Sequence, residues 1–470
     1  MEKTRVICPL CGDAVEKLVY RFHYDTEATV IAKIKTEFPD WTKEDGLCSR
    51  CLDFFHSEIV LEQRILPSIG PHFPIRSADD FIVIPTGLRV NADPRFTGKG
   101  ITICFIDSGF CLHPDLVETR NRIKTIVDIT VDKDTQTSSY TEKIINASWH
   151  GTMTSVVCAG NGYLSNGLYK GIACDAELVL VKVMNEAGNI TTENICKALQ
   201  WVLDNHRIYE IRIVNISLGD DFAGSYKQSD VDRLCEELIA QGITIVAAAG
   251  NDENGTIRPP ANSLHVISVG GADDENSLKE IPQKLYHSTY GTTADGLMKP
   301  ELIAHAIWIA APILPKSNEQ KESELLHRLL QLSSEDLTKE IKSLHEENKL
   351  DPSIEDSTDV NFIRNRILRR LRACKYISPH YMHVDGTSFA APIISAVIAQ
   401  LLEMDRSLSP AAIREVLFST AKRINDFPAE RQGFGLVQPR KAVLKILKGA
   451  IPKPETSPLV NTQKRTIEFT

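Results

Sequence analysis

Short, almost wholly apolar runs recur along the middle of the chain, at residues 101–107 (ITICFID), 176–184 (AELVLVKVM), 211–218 (IRIVNISL), 242–250 (GITIVAAAG) and 264–270 (LHVISVG). Each has the length of a strand, and each lacks the polar alternation of a half-exposed one, so both faces are buried. Helical patterns lie between them at 151–160, 191–205 and 228–240. Strands apolar on both sides and spaced by helices predict an α/β fold: a doubly wound, mostly parallel sheet with helices on both faces. In such folds the chemistry sits at the carboxyl ends of the strands. A longer apolar stretch, 393–402, predicts a central helix buried all round. Pro392 is placed in its first turn, where a missing N–H is tolerated.

The pattern changes at both ends and once inside. Residues 1–55 hold two Cys-x-x-Cys pairs with a helical candidate around 25–38 between them, and are expected to form a small module. Residues 56–81, with Pro67, Pro71 and Pro74, are expected to be a linker, and 82–447 the main domain. Within it, residues 313–382 are charged and helical, with Leu325, Leu326, Leu329 and Leu330, then Leu337, Ile341 and Leu344, then Ile363, Ile367 and Leu371 at amphipathic spacing. The tail, 448–470, is polar and expected to be loosely ordered.

At 470 residues the chain is too long for one small core, which agrees with this division. Its formal net charge of −9 argues against a dominant nucleic-acid surface. The start has no apolar run of signal-peptide length and nothing later suggests a membrane span, so a cytoplasmic setting without membrane association is expected. Of eleven cysteines, seven are scattered and fit buried thiols in a reducing compartment.

Four short segments carry candidate chemistry. In DGTSFAAP, Ser388 opens the central helix, where free N–H groups meet developing negative charge; a plain helix-capping hydroxyl fits the same residue. His150, before Gly151-Thr152, opens a helix of small residues and could serve as a base or as a core histidine. Asp107 directly follows an apolar strand, where a carboxylate orients a base or simply starts a turn. Asn251 follows the strand 242–250, as an oxyanion donor or a turn residue.

Taken together, DSGFCLHPDL, HGTMTSVVCAGNG, YKGIACDAELVLVKVM, VNISLG, AAAGN, GTTADGLMKPELIA, DGTSFAAP and GFGLVQPRKAV resemble the subtilisin-like serine proteases, the subtilase family, over about 85–447. The order Asp, His, Asn, Ser is that family's. The resemblance implies an Asp107–His150–Ser388 triad with Asn251 at the oxyanion, and a serine endopeptidase that cuts protein or peptide substrates through an acyl-enzyme. By the same resemblance Ser217, Leu218, Gly219, Ala249 and Gly250 wall the substrate pocket. Asp220, Asp221, Asp252 and Glu253 crowd its edges and raise the expectation of a preference for cleavage after basic residues. A catalytically weak or inactive scaffold that binds partners is the alternative.

The chain departs from the family at Met153, Val156, Ala304-His305-Ala306 and Ile393, and most of all in the insert, a candidate lid or docking element for a regulatory protein. Calcium, common in the family, is compatible with Asp115 but not implied, because the usual loop reads GNGYLSNGLYKG. The pairs Cys8, Cys11 and Cys48, Cys51 have the arrangement of a structural zinc site; a redox pair or free thiols are the alternatives. The module's nearly balanced charge gives no reason to expect nucleic acid.

Overall fold

The computed structural model describes residues 6–10, 12, 14–15, 18, 27–48, 51–52, 55, 83–131, 148–278, 284–343, 354, 357–447, 458–461 and 466–469. The expected linker, 56–81, lies wholly outside the described residues, as does Cys11.

Seven parallel strands form the central sheet: β1 (Thr102–Asp107), β2 (Ile123–Asp128), β3 (Glu177–Lys182), β4 (Ile211–Ile216), β5 (Thr244–Ala248), β6 (Ile267–Asp273) and β7 (Leu302–His305), in the order β7-β6-β5-β4-β1-β3-β2. A two-residue strand, Lys284–Leu285, adds to β6 antiparallel. Alternate side chains of each inner strand divide between two cores. Ile103, Phe105, Leu178, Leu180, Ile213 and Val246 face one core, built with the helices Trp149–Ala159 and Thr387–Met404. Cys104, Ile106, Val179, Val181, Val214 and Ile245 face the other, built with Thr192–Tyr209 and Asp230–Ala240. Both faces are therefore dry, as the unbroken apolar runs predict. The edge strand β2 was not predicted, because IKTIVD mixes polar and apolar positions and only Val127 is fully buried.

The helix Thr387–Met404 runs through the first core with 15 of its residues buried. Among the described residues it is the one helix long and apolar enough to cross a membrane, and burial within the fold accounts for that composition. The sequence-based placement of Pro392 needs correction. The helix begins at Thr387, so Pro392 sits in its interior, and the carbonyl of Ser388, four residues back, loses its helical donor.

The insert has its own core of Leu326, Leu329, Leu337, Ile341, Ile363, Ile367 and Leu371, on the helices Asn318–Gln331, Ser334–Ser343 and Val360–Ala373. These helices rise from a three-stranded antiparallel sheet of β8 (Ile309–Pro312), β9 (Tyr376–Ser378) and β10 (Tyr381–Val384), and β10 leads directly into the turn at Gly386. At the other end of the chain, Pro458–Asn461 and Thr466–Phe469 pair as antiparallel strands, where the polar composition gave no strand pattern.

The amino-terminal segment forms a helix, Glu27–Glu37, within the expected range. Val30, Ile34, Trp41, Leu47 and Phe55 are buried in the same hydrophobic cluster as the histidine and serine helices. Arg440 pairs with Glu37 at 2.5 Å across this junction.

Candidate active site

Asp107 is the last residue of β1 and is 1% exposed. Its carboxylate accepts from the Ser108 N–H at 2.6 Å and from Thr154 Oγ1 at 3.1 Å, and lies 2.7 Å from His150 Nδ1. His150 is in the first turn of Trp149–Ala159. That helix can press against the loop after β1 because Gly151 has no side chain: a Cβ there would lie 2.3 Å from the Gly109 carbonyl oxygen. Burial opposes protonation of the His150 ring, but the charge and hydrogen bond of Asp107 outweigh it and hold the pKa above the ordinary imidazole value. The ring lies 5.9 Å from that of Phe389, the residue after Ser388.

The turn before the serine helix is set by Gly386, at φ +137° and ψ 155°, a region closed to other residues. The Gly386 N–H donates to Ala306 O at 2.7 Å. Asn251 Oδ1 accepts from the Thr387 N–H at 2.9 Å and from Thr387 Oγ1 at 3.0 Å. This anchors the side-chain oxygen and leaves Nδ2 as the amide's donor end. Thr387 Oγ1 in turn accepts from the Gly250 N–H at 3.2 Å. Ser388 Oγ donates to the Ser217 carbonyl at 3.3 Å, so in this conformation the hydroxyl is turned toward β4's end.

The carbonyl freed by Pro392 has a partner after all. Ser217 Oγ donates to Ser388 O at 2.9 Å and accepts from Asn215 Nδ2 at 3.0 Å, and Asn215 Oδ1 accepts from Ser395 Oγ at 2.9 Å. A buried polar ladder thus rivets the serine helix to β4. Replacing Ser217 with alanine is expected to destabilise the fold by about 1–3 kcal/mol, the cost of an orphaned buried carbonyl; urea unfolding of the purified variant measures it, and an unchanged midpoint would contradict the ladder.

Of the predicted site residues, Asp107 and His150 meet directly, Asn251 meets Thr387, and Ser217 meets Ser388. Leu218, Gly219, Ala249 and Gly250 follow the ends of β4 and β5. The edge acids are engaged: Asp220 accepts from Thr192 Oγ1, Asp221 pairs with Arg258 at 3.1 Å, Asp252 accepts from the Asn254 N–H at 3.0 Å, and Glu253 pairs with Arg431 at 3.1 Å. Asp221 and Glu253 are thus ion-paired, whereas Asp220 and Asp252 accept from uncharged donors.

The sequence reading missed Thr154, Thr387, Asn215 and Ser395. Their signal was present as polar residues inside otherwise apolar elements, which must be hydrogen-bonded. At the departure Ala304-His305-Ala306, His305 is buried beside Asp274 at 3.3 Å, and Asp274 is gripped by Arg89 through 2.5 and 2.7 Å contacts. Burial lowers the His305 pKa against the pull of Asp274. Arg89 also donates to the carbonyls of Ile307 and Trp308, steadying the strand end next to Ala306.

The sulfurs of Cys8, Cys48 and Cys51 lie within 4.8 Å of one another and are buried, a group that could hold a metal ion. Metal–sulfur bonds of about 2.3 Å in a tetrahedron put sulfurs about 3.8 Å apart, and Cys8 and Cys51 are separated by 3.9 Å. The Cys48 N–H donates to Cys8 Sγ at 3.3 Å, and Arg95 Nη1 lies 3.9 Å from Cys51 Sγ, both favouring thiolates. Asp115 does not fit a calcium ligand. One carboxylate oxygen accepts from the Leu164 N–H at 3.1 Å, the other from the hydroxyl of Tyr381 on β10.

Comparison with known proteins follows this geometry. The profile described as the subtilase family matches residues 98–345 and 368–435. Serine protease AprX of Bacillus subtilis is 28% identical over 355 residues, covering 74% of this chain and 67% of AprX. Subtilisin Savinase of Lederbergia lenta is 27% identical over 206 residues, 43% of this chain and 68% of Savinase. Alkaline elastase YaB of a Bacillus species is 28% identical over 189 residues, 40% of this chain and 44% of the elastase. Among solved structures, sphericase superposes with a TM-score of 0.53 at 20% identity, over 76% of this chain and 99% of sphericase, which shows the shared fold.

Proposed function

Because the chain belongs to the subtilase family, we propose that it is an intracellular serine endopeptidase working through Asp107, His150 and Ser388. Serine endopeptidase activity follows from family membership and from relatives such as AprX. The observation that carries the residue assignment is the 2.7 Å contact of Asp107 with His150 Nδ1, on a helix that places the ring against Phe389. Asp107 holds the Nδ1 proton, which leaves Nε2 as the base. Ser388 Oγ leaves the Ser217 carbonyl by rotation about χ1, gives its proton to Nε2 and attacks the substrate carbonyl. Asn251 Nδ2 and the Ser388 N–H meet the oxyanion. His150 then protonates the leaving amine, and water releases the acyl group by the same path. Cys104, Cys158 and Cys235 are buried as small apolar side chains in the two sheet cores, which supports a reducing, cytoplasmic setting.

The raised His150 pKa fixes the sign of the pH response. Activity requires the neutral ring, so kcat/KM is expected to rise through a midpoint above 6.5, the unperturbed value. Stability runs the other way. The ion pair of protonated His150 with Asp107 is fully present below the unfolded-state pKa and is lost as pH rises through the folded one. A pH series of kcat/KM and of the unfolding midpoint checks both; an acid limb centred below 6.5 would contradict the assignment.

We further propose that the amino-terminal cysteines hold structural zinc. Cys8, Cys48 and Cys51 would bind it, with Cys11 completing the set; bound there, the metal supplies folding energy. A strong chelator under reducing conditions, or Cys48→Ser, is expected to lower the thermal midpoint by roughly 5 °C or more. About one zinc per chain should appear by elemental analysis. No metal and an unchanged midpoint would contradict the site.

Gating by the insert is supported by its neck. Lys375 Nζ lies 2.5 Å from Asp385 Oδ2, and the Trp308 ring stacks on His383 at 4.8 Å, so the insert grips the residue before Gly386. The hydrogen bond that Ser388 Oγ donates to the Ser217 carbonyl favours a second reading, an inactive scaffold that binds proteins. Incubating the purified chain with denatured casein separates the two: hydrolysis supports the protease, and binding without new amino termini supports the scaffold.

A further inference from the structure

The helix Val360–Ala373 carries five arginines and no acidic residue, in a chain of formal net charge −9. Two of the five serve the insert's own structure. Arg364 donates to the carbonyls of Leu330 and Leu332 at 2.6 and 2.7 Å, and Arg370 pairs with Glu322 at 2.6 Å. Ile363, Ile367 and Leu371 face the insert core. The remaining arginines, Arg366, Arg369 and Arg372, are three residues apart and share another face. Arg366 lies over the Phe362 ring at 5.0 Å. Arg369 and Arg372 are exposed and have no ion-pair partner among the described residues. Beyond them the chain reaches Lys375, which holds Asp385, three residues ahead of Ser388. The stripe therefore ends at the nucleophile turn.

We propose that Arg369 and Arg372 form an exosite for an acidic segment of the protein substrate, held beside the cleft while neighbouring residues are cut. This rests on the protease reading above and names a substrate class for it. Guanidinium groups match carboxylates bidentately, which favours an acidic peptide over a point-charge contact. Arg369 and Arg372 are three residues of helix apart, about 4.5 Å along its axis, the reach of one to two extended residues. That length suits a short acidic run, whereas a long polyanion or an anionic membrane would also meet the negative charge of the rest of the chain. Local positive field at the rim raises capture of the matching substrate and weakens as salt screens it.

Two fluorogenic peptides with one uncharged cleavable core test this, one extended by Glu-Glu-Asp-Glu and one by Gly-Ser-Gly-Ser, each built in both orientations. With the full chain at low salt, the acidic extension in one orientation is expected to raise kcat/KM by about tenfold through KM, and the gain should vanish near 0.5 M salt, on the order of a 4 Å Debye length. The variant Arg369→Glu/Arg372→Glu is expected to lose the gain and keep turnover of the Gly-Ser peptide within about twofold. Equal rates for the two peptides, or a gain retained in the variant, would overturn the exosite. Fluorescence anisotropy of the labelled acidic peptide on Ser388→Ala chain reads binding without turnover, so absent hydrolysis in wild type with charge-dependent binding would count against the protease alone. Tighter binding of a labelled oligonucleotide than of the acidic peptide would also overturn it.

Discussion

Replacing Ser388 with alanine lowers kcat for a peptide substrate by about five to six orders of magnitude, with little change in KM. The expected loss is this large because the alcohol makes and breaks the covalent bond, and no other hydroxyl is placed to replace it. Thr387 Oγ1 is committed to Asn251 and Gly250, and Ser217 Oγ to the Ser388 carbonyl. His150→Ala should fall to nearly the same floor, and the double variant no further, since the two groups act as one unit. The fold should not suffer. Ser388 Oγ makes a single 3.3 Å hydrogen bond, so the unfolding free energy of Ser388→Ala is expected to stay within about 0.5 kcal/mol of wild type. Steady-state kinetics and urea unfolding of the three variants check this; losses that add in the double variant would separate His150 from Ser388.

Asn251 carries the second large effect, a drop in kcat of about 10²–10³, or roughly 3–4 kcal/mol, with KM nearly constant. Two replacements divide its roles. Asn251→Asp keeps an oxygen to accept from the Thr387 N–H and hydroxyl but loses the Nδ2 donor, and Asn251→Leu loses both. If the donor matters to the transition state, the aspartate variant is impaired at least as much as the leucine variant, because its charge also repels the oxyanion. If the asparagine only braces Thr387, the aspartate variant retains near-normal kcat, and the oxyanion role fails.

The fold was legible because the inner strands are apolar on both faces, a pattern that only a covered parallel sheet explains. The edge strand β2 escaped, since half-exposed positions such as Lys124 and Thr125 blur its signal. Asp107 and His150 stood out as polar residues at the ends of apolar segments, and their 2.7 Å contact was anticipated by resemblance to the subtilase family. What could not be read was pairing across the chain. Nothing local says that Pro392 frees a carbonyl for Ser217, or that Tyr381 takes an oxygen of Asp115. Nor does local pattern show Arg89, far upstream, gripping Asp274 beside His305. Each such pair joins groups more than a hundred residues apart, where periodicity carries no information. The partners of the pocket acids, Thr192, Arg258 and Arg431, lie beyond local pattern too.

The central claim is that Ser388 is a nucleophile activated by His150. It is tested most directly by treating the purified full chain with a fluorophosphonate and mapping the adduct by peptide mass spectrometry. The account predicts one phosphonyl group per chain, on Ser388, formed faster as pH rises through the His150 titration, and no adduct in the His150→Ala chain on the same time scale. An unlabelled Ser388 in folded protein, or an adduct that forms equally well without the imidazole, would contradict it.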